Sequence, residues 1–346
     1  MVKQEKIWKF LVFVSFSFPS VGAASAVELR DNVFATLDLE SSFVSTEIVN
    51  KGITRFKLDF GYDQTFFGFF GERELRLHAS YSLRYGPSAS DLIGDRQGVS
   101  NIDDDEYTKL YEIFIDTNLF SLFDMKIGTM DATNDFAAPE NGSQFLNGPA
   151  GSSPTILGIP TFPTPTLGVL IHTDLGAFNL KIGHYSGETN RVSFEETFSI
   201  AELGLKIKEQ AVIKFGVWRD TEQSKFDGAL AAVGDFYGIL DYDLSENISG
   251  FFQYGTVDPG FSEIERHWAI GLTWFPMTSS DISGGIMMSH AKLITETEER
   301  LYELFVSVPL KKRFSLTPSL TLIRRPVGGE GSLDATVLSI RFNLNL

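Results

Sequence analysis

The stretch from Leu75 to Tyr85, which reads LRLHASYSLRY, alternates between two kinds of side chain. Apolar and aromatic residues occupy the odd positions, whereas Arg76, His78, Arg84 and two serines occupy the even positions. Successive side chains of a β-strand point to opposite faces, so this period of two predicts a strand with one apolar and one polar face. The fold must therefore offer two different environments on the two sides of a sheet.

The same alternation recurs along the chain and predicts about sixteen strands. The predicted spans are 32–40, 53–62, 75–85, 109–116, 124–130, 167–173, 178–185, 200–207, 211–219, 232–241, 248–255, 267–275, 281–289, 302–308, 314–323 and 336–344. Short connections, such as 174–177 and 208–210, alternate with longer ones. Short turns at one rim and long loops at the other are typical of outer-membrane barrels. We therefore predict an all-β protein, a transmembrane antiparallel β-barrel.

Composition excludes several other classes of protein. The 346 residues include 31 Phe, 31 Gly and no Cys, and the net charge is -16. No window approaches 18 consecutive apolar residues, which excludes a helical membrane span. The acidic balance argues against a nucleic-acid partner, because phosphate binding requires a basic surface. A barrel of about sixteen strands leaves an aqueous channel, so we expect a pore.

The N-terminus has the pattern of an export signal. Three lysines fall within the first nine residues, an apolar run follows at 10–18, and small residues at 24–26 provide a cleavage site. We expect a signal peptide at 1–26 and one barrel domain at 27–346. The mature chain would then carry 26 basic and 44 acidic residues, a net charge of -18.

Alternation also assigns the charged residues of the predicted strands to one face. A charge facing the bilayer midplane costs roughly 2 to 4 kcal/mol, so charged side chains should turn inward. The basic residues of this inward set are Lys57, Arg76, Arg84, Lys126, Lys181, Lys206, Lys214 and Arg341, and the acidic residues are Asp59, Glu112, Asp116, Glu202, Asp281 and Glu303. We therefore predict an electrically mixed inner wall, with most of the net negative charge on the loops.

The longest predicted connection, 131–166, follows the fifth strand and would be the third outer loop of the barrel. It contains three acidic residues, no Lys or Arg, and six of the thirteen prolines. A connection of this length is usually functional or disordered. Its Phe and Ile content and its prolines favour an ordered loop that folds inward, and a floppy surface loop is the alternative.

This segment also resembles a known family. The stretch 131–168 is similar to the corresponding segment of the carbohydrate-selective porins, the OprB-like outer-membrane proteins. The phrase GDRQGVSNID at 94–103, the triplet LYE at 110–112 and the closing segments LYEL at 301–304 and LTPSL at 316–320 resemble that family as well. The resemblance implies a channel that passes monosaccharides by diffusion through an eyelet of charged and aromatic residues. The chain differs from typical members in its shorter length and in ending at a leucine.

The eyelet residues follow from the chemistry of a sugar, whose hydroxyls pair with carboxylates or guanidinium groups and whose C–H faces lie against aromatic rings. The long loop supplies carboxylates and Phe but no base. We predict that it faces bases on the wall and that the eyelet contains Asp135, Glu140, Phe136, Phe145, Arg76, Arg84 and Lys126. Alternatively, the bases only neutralise the loop and hold it in place.

Enzymatic signatures are missing from the sequence. None of the five His has an HExxH spacing, and no GxSxG motif occurs. We therefore expect a channel and not an enzyme, without metal or cofactor, in the outer membrane of a diderm bacterium. Its expected partners are small carbohydrates and outer-membrane lipid, and a homotrimer is one assembly open to such a barrel. A general or ion-selective porin is the alternative function.

Overall fold

The structure is a computed structural model. It describes residues 32–67, 74–119, 122–156, 160–187, 196–221, 233–258, 262–275, 282–295, 297–311, 313–326 and 334–346. The expected signal peptide at 1–26 lies outside these residues, and so does Asp281 of the predicted inner wall.

The described residues form a closed antiparallel barrel of sixteen strands, in which each strand pairs with its neighbours in the chain and β1 pairs with β16. The strands are β1 (Val33–Ser45), β2 (Asn50–Phe67), β3 (Glu74–Tyr85), β4 (Tyr107–Leu119), β5 (Phe123–Met130), β6 (Thr166–Leu175), β7 (Phe178–Ser186), β8 (Thr197–Ile207), β9 (Ala211–Asp220), β10 (Val233–Ser245), β11 (Ile248–Thr256), β12 (Ile264–Trp274), β13 (Ser283–Leu293), β14 (Glu298–Lys311), β15 (Phe314–Arg324) and β16 (Ala335–Asn345). The closing ladder runs from Thr36 opposite Asn345 to Ser45 opposite Thr336.

Every predicted strand overlaps an observed one, so the prediction of a sixteen-stranded barrel is confirmed. The main differences lie at the strand ends. The second strand was predicted at 53–62 but spans Asn50–Phe67, and the fourteenth was predicted at 302–308 but spans Glu298–Lys311. Backbone pairing continues past the region where the two faces differ in polarity, and alternation cannot detect that extension.

The two rims differ in the length of their connections. The rim that carries the chain ends has turns as short as residues 176–177 and 246–247, whereas the other rim carries the segments 86–106 and 131–165. These two segments contain the short helices α1 (Ala89–Ile93) and α2 (Gly148–Gly151) and a 3-10 turn at Ala132–Asn134. No helix in the described part of the chain is long and apolar enough to cross a membrane.

The two faces of the wall have opposite polarity. Apolar side chains such as Phe178, Phe215 and Leu338 are 50 to 54% exposed on the outer face. The inner face carries buried polar groups at the alternating positions, among them Glu202 on β8 and Ser339 on β16. An outer face of this kind suits lipid, and the closed ladder leaves no unpaired strand edge within it.

Glycines on the inner face leave room for large aromatic rings. A Cβ atom at Gly216 would lie 2.0 Å from the ring of Tyr237, which is itself buried and donates a hydrogen bond to Glu202 at 2.8 Å. We expect Gly216→Val to displace this ring and to lower the stability of the barrel by about 1 to 3 kcal/mol, as overpacking does. The measurement is the temperature at which the folded band disappears in heat-modifiability electrophoresis.

Gly204→Val is the matched control for that variant. Gly204 also lies on a strand, but its nearest neighbour would be Asn179 Cβ at 3.5 Å, an ordinary contact distance. Equal losses of stability in the two variants would mean that the ring of Tyr237 above Gly216 makes no particular contribution to the stability of the barrel.

Candidate solute pathway

The segment 131–165 lies inside the barrel over its described residues, 131–156 and 160–165. It makes hydrogen bonds or ion pairs with residues of ten strands, β4, β5 and β7 to β14. A segment that reaches strands on so many sides of a closed barrel has to occupy its interior. Phe136 and Phe145, each 1% exposed, are parts of two separate apolar clusters there.

Carboxylates of the wall hold this segment through its backbone. Glu303 accepts hydrogen bonds from the amides of Leu146 and Asn147, both at 3.0 Å. Asp241 accepts from the amides of Glu140 and Asn141, at 3.1 and 3.0 Å. Each carboxylate thus binds two consecutive N–H groups, which fixes both the position and the direction of the segment.

A second segment, 86–106, also folds inward, which the sequence did not predict. Glu299 on β14 accepts from the amides of Arg96 and Gln97, at 3.0 and 3.2 Å. On the opposite side of this segment, Ser100 donates to Glu40 on β1 at 3.1 Å. The segment therefore extends between β14 and the seam formed by β1 and β16.

The two interior segments are bonded to each other. The amide of Asn101 donates to the carbonyl of Leu146 at 2.6 Å, and the amide of Gly148 donates to the carbonyl of Gly98 at 2.9 Å. Gly98 has a φ of +87°, a backbone conformation that glycine adopts without strain. The segments 86–106 and 131–165 consequently form one unit, which we call the interior unit.

The interior unit leaves open space along the inner face of β1 to β5. A first cavity of about 690 Å³ is bounded by β1 to β4 and by both interior segments. A second cavity of about 350 Å³ is bounded mainly by β2 to β6, closer to the rim with the short turns. The two cavities are neighbours along β3 and β4, because Ser80 and Glu112 face the first and Arg76 and Asp116 face the second.

A β-bulge shapes the first cavity. The register between β3 and β4 shifts at Ser80 and Tyr81, so that Tyr111 has no partner of its own, and the consecutive Tyr111 and Glu112 both face the cavity. Lys57 lies opposite, with its Nζ 2.8 Å from Asp59 and 5.3 and 5.8 Å from the ring centres of Phe162 and Tyr111. Charged groups and aromatic rings therefore meet at one place in the pathway.

The predicted eyelet residues are only partly brought together. Lys126 and Asp135 form an ion pair of 2.8 Å at the second cavity, as expected for a loop acid facing a wall base. Glu140 pairs with Lys214 at 3.2 Å and not with any of the three predicted bases. Arg76 lines the second cavity but pairs with Asp63 at 2.7 Å.

Arg84 has a different partner from the one predicted. It is 1% exposed and bonds within the segment 86–106, to Asp103 at 2.9 Å and to the carbonyl of Gly86 at 2.6 Å. Phe136 and Phe145 pack in apolar clusters and do not line either cavity. Glu140 thus faces a base of the wall, as predicted for an acid of the long loop, but that base is Lys214 and none of the three predicted bases. Arg84 is not available to the loop because Asp103 and the carbonyl of Gly86 bind it.

Asp95 in the segment 86–106 is buried, and its Oδ1 atom has no hydrogen-bond partner. Burial raises its pKa to about 6. A carboxyl with a raised pKa stabilises the fold below its unfolded pKa of about 4 and loses that contribution as the pH rises through 6. Part of this contribution is already lost at pH 5, so we expect the segment to be more stable at pH 5 than at pH 8 by about 1.4 kcal/mol, and we expect Asp95→Asn to remove the difference.

Hydrogen exchange of residues 94–101 at the two pH values, corrected for intrinsic rates, measures this effect. Asp91→Asn is the control, because Asp91 is exposed on α1 in the same segment. If wild-type protection were equal at pH 5 and pH 8, or higher at pH 8, the assignment to Asp95 would be wrong.

A sixteen-stranded barrel with an interior unit beside open cavities along its inner wall is the architecture of a porin. The chain matches the model of the carbohydrate-selective porin, OprB family, over residues 53–267, and it belongs to that family. The family and the fold are those of channels and indicate the outer membrane of a Gram-negative bacterium. Among the described residues, no group of His, Cys, Asp and Glu is arranged to hold a metal ion.

Solved structures support the same fold. The chain is similar to the high-pH structure of Pseudomonas putida OprB, with a TM-score of 0.78 and 13% identity over 93% of this chain and 96% of that one. The low-pH structure of the same protein gives 0.60 and 12%, over 95% and 100%. A mutant of the Rh. blastica porin gives 0.59 and 9%, over 90% and 99%. No curated protein matches the chain in sequence.

Proposed function

We propose that the protein conducts small sugars through the outer membrane by passive diffusion along β1 to β5. The observation that carries this proposal is the first cavity, where Lys57, Asp59 and Glu112 lie beside the rings of Tyr111 and Phe162. Sugar hydroxyls can exchange hydrogen bonds with such charged groups, and the C–H faces of a sugar pack against aromatic rings. Membership in a carbohydrate-selective family supports the same substrate class.

The proposed eyelet differs from the one expected from the sequence. Asp135, Lys126 and Arg76 stay in it, because they line the second cavity. Phe136, Phe145, Arg84 and Glu140 are assigned to holding the interior unit, and the residues named at the first cavity take their place. Assembly into a homotrimer stays a prediction.

Liposome swelling with the purified protein tests the proposal. Glucose should enter faster than a neutral amino acid of similar mass, and sugar should block the ion current of single channels in a concentration-dependent manner. Phe162→Leu should weaken this block, because a leucine keeps apolar volume but offers no ring. Phe178→Leu, the same change on the outer face, should leave it unaltered.

Swelling rates that depend on solute size alone, together with an ion current that sugars do not block, would overturn the proposal. That result would favour a general porin.

A further inference from the structure

The charges that line the two cavities differ from those of the inner wall as a whole. The first cavity is lined by five carboxylates (Asp59, Asp103, Asp104, Glu112 and Asp131), by Lys57 and by His78, and one of these carboxylates, Asp103, pairs with the buried Arg84. The second cavity is lined by four carboxylates (Glu74, Asp116, Asp124 and Asp135), by Arg76 and Lys126, and by His172. The pathway is therefore acidic, although the sequence assigned more bases than acids to the inner wall.

The difference arises because the interior unit binds half of the eight inward bases, namely Arg84, Lys181, Lys214 and Arg341. Lys181 donates to the carbonyl of Asp135 at 2.6 Å, and Lys214 donates to the carbonyl of Ala138 at 3.0 Å. Arg341 donates to Asn101 at 2.7 Å. Loop carbonyls inside a barrel need donors, and Lys and Arg reach them from the wall.

The bases that remain at the cavities are neutralised by close partners. Lys57 lies 2.8 Å from Asp59, Lys126 lies 2.8 Å from Asp135, and Arg76 lies 2.7 Å from Asp63. Asp104 and Asp116 are in none of the ion pairs found among the described residues. A narrow pathway lined by one sign of charge concentrates counter-ions, since its walls of low dielectric focus the field.

We propose that this pathway selects for positive charge, so that it favours cations over anions and saccharides that bear an ammonium group over those that bear a carboxylate or phosphate. The proposal rests on the proposed function and adds the charge class of the solute. The Debye length is about 10 Å at 0.1 M salt and about 3 Å at 1 M salt, so added salt should reduce the preference.

The reversal potential of single channels in a KCl gradient tests the proposal without any sugar. Potassium should carry several-fold more current than chloride. The double variant Asp104→Asn with Asp116→Asn, which removes one charge from each cavity, should reduce this ratio. The matched control is Glu47→Gln with Glu246→Gln, which removes two charges from exposed turns at opposite rims and should leave the ratio unchanged.

Liposome swelling extends the test to sugars. At neutral pH we expect glucosamine to enter faster than glucuronate, with glucose between them. A reversal potential near zero, or one whose sign indicates a preference for chloride, would overturn the proposal. Equal losses of potassium selectivity in the pathway variant and in the control variant would overturn it as well. If sugars failed to block the current while potassium selectivity persisted, the proposed function alone would be wrong.

Discussion

The variant Glu299→Gln with Glu303→Gln should raise single-channel conductance several-fold and abolish discrimination among sugars, while the barrel stays folded. Glu299 and Glu303 lie on the same face of β14 and hold the two interior segments, one each. A backbone amide that faces the NH2 group of the new glutamine loses its hydrogen-bond acceptor. Each such loss lowers the stability of the interior unit by roughly 1 to 3 kcal/mol. The two segments also bond to each other where these anchors hold them, so the loss of both anchors should loosen the part of the interior unit that lies against β14.

Conductance in planar bilayers and the largest polyethylene glycol that enters the pore are the two measurements. Glu298→Gln is the control, because Glu298 is adjacent on β14 but pairs with the exposed Arg300 at 3.0 Å. Heat-modifiability electrophoresis verifies that the strands remain closed. If the folded double variant admitted polyethylene glycol of the same maximum size as the wild type, these carboxylates would not determine the width of the pore.

The second large effect is expected from Arg84→Met. The Arg84 side chain is 1% exposed, and its ion pair with Asp103 is buried to a similar degree. Removal of one partner from a buried pair leaves an uncompensated charge and costs about 3 to 5 kcal/mol. Asp103 also accepts from the amides of Ala89 and Ser90 at the start of α1, so we expect the segment 86–106 to lose its structure locally.

Limited proteolysis of the folded barrel measures this change, with cleavage within 86–106 as the readout. Adding Asp103→Asn to Arg84→Met should restore part of the resistance, because it removes the uncompensated charge. If the double variant were cleaved faster than the single one, backbone bonds of Asp103 and not its pairing with Arg84 would be the main restraint.

The wall could be predicted from the sequence because a closed barrel between lipid and water imposes one simple rule on every strand. Leu75 to Tyr85 show that rule directly, and the predicted span 75–85 is within one residue of β3. Strand ends were predicted less well, because backbone pairing between strands continues beyond the part of the wall that contacts lipid.

The interior could be predicted only in part. The long segment was expected inside, and Asp135 was expected to face a base of the wall, for which Lys126 was one of three candidates. Glu299, Glu303 and Asp241 could not be identified as anchors, because their partners are backbone amides, which every residue except proline carries. The bulge at Tyr111 shifts the alternation of β4 by one residue, so that inward side chains change from odd to even positions there. A strict period of two along the sequence cannot predict such a shift.

The ladder between β1 and β16 has a kinetic consequence. Thr36 bonds to Asn345 across 309 positions of the chain, whereas each of the other strand pairs joins neighbours in sequence. Contacts of such high sequence separation form slowly, because loop-closure entropy opposes them until most of the chain is ordered. Until then β1 and β16 are both open edges that other chains can pair with. The molecule is therefore most prone to aggregation before β1 and β16 have paired.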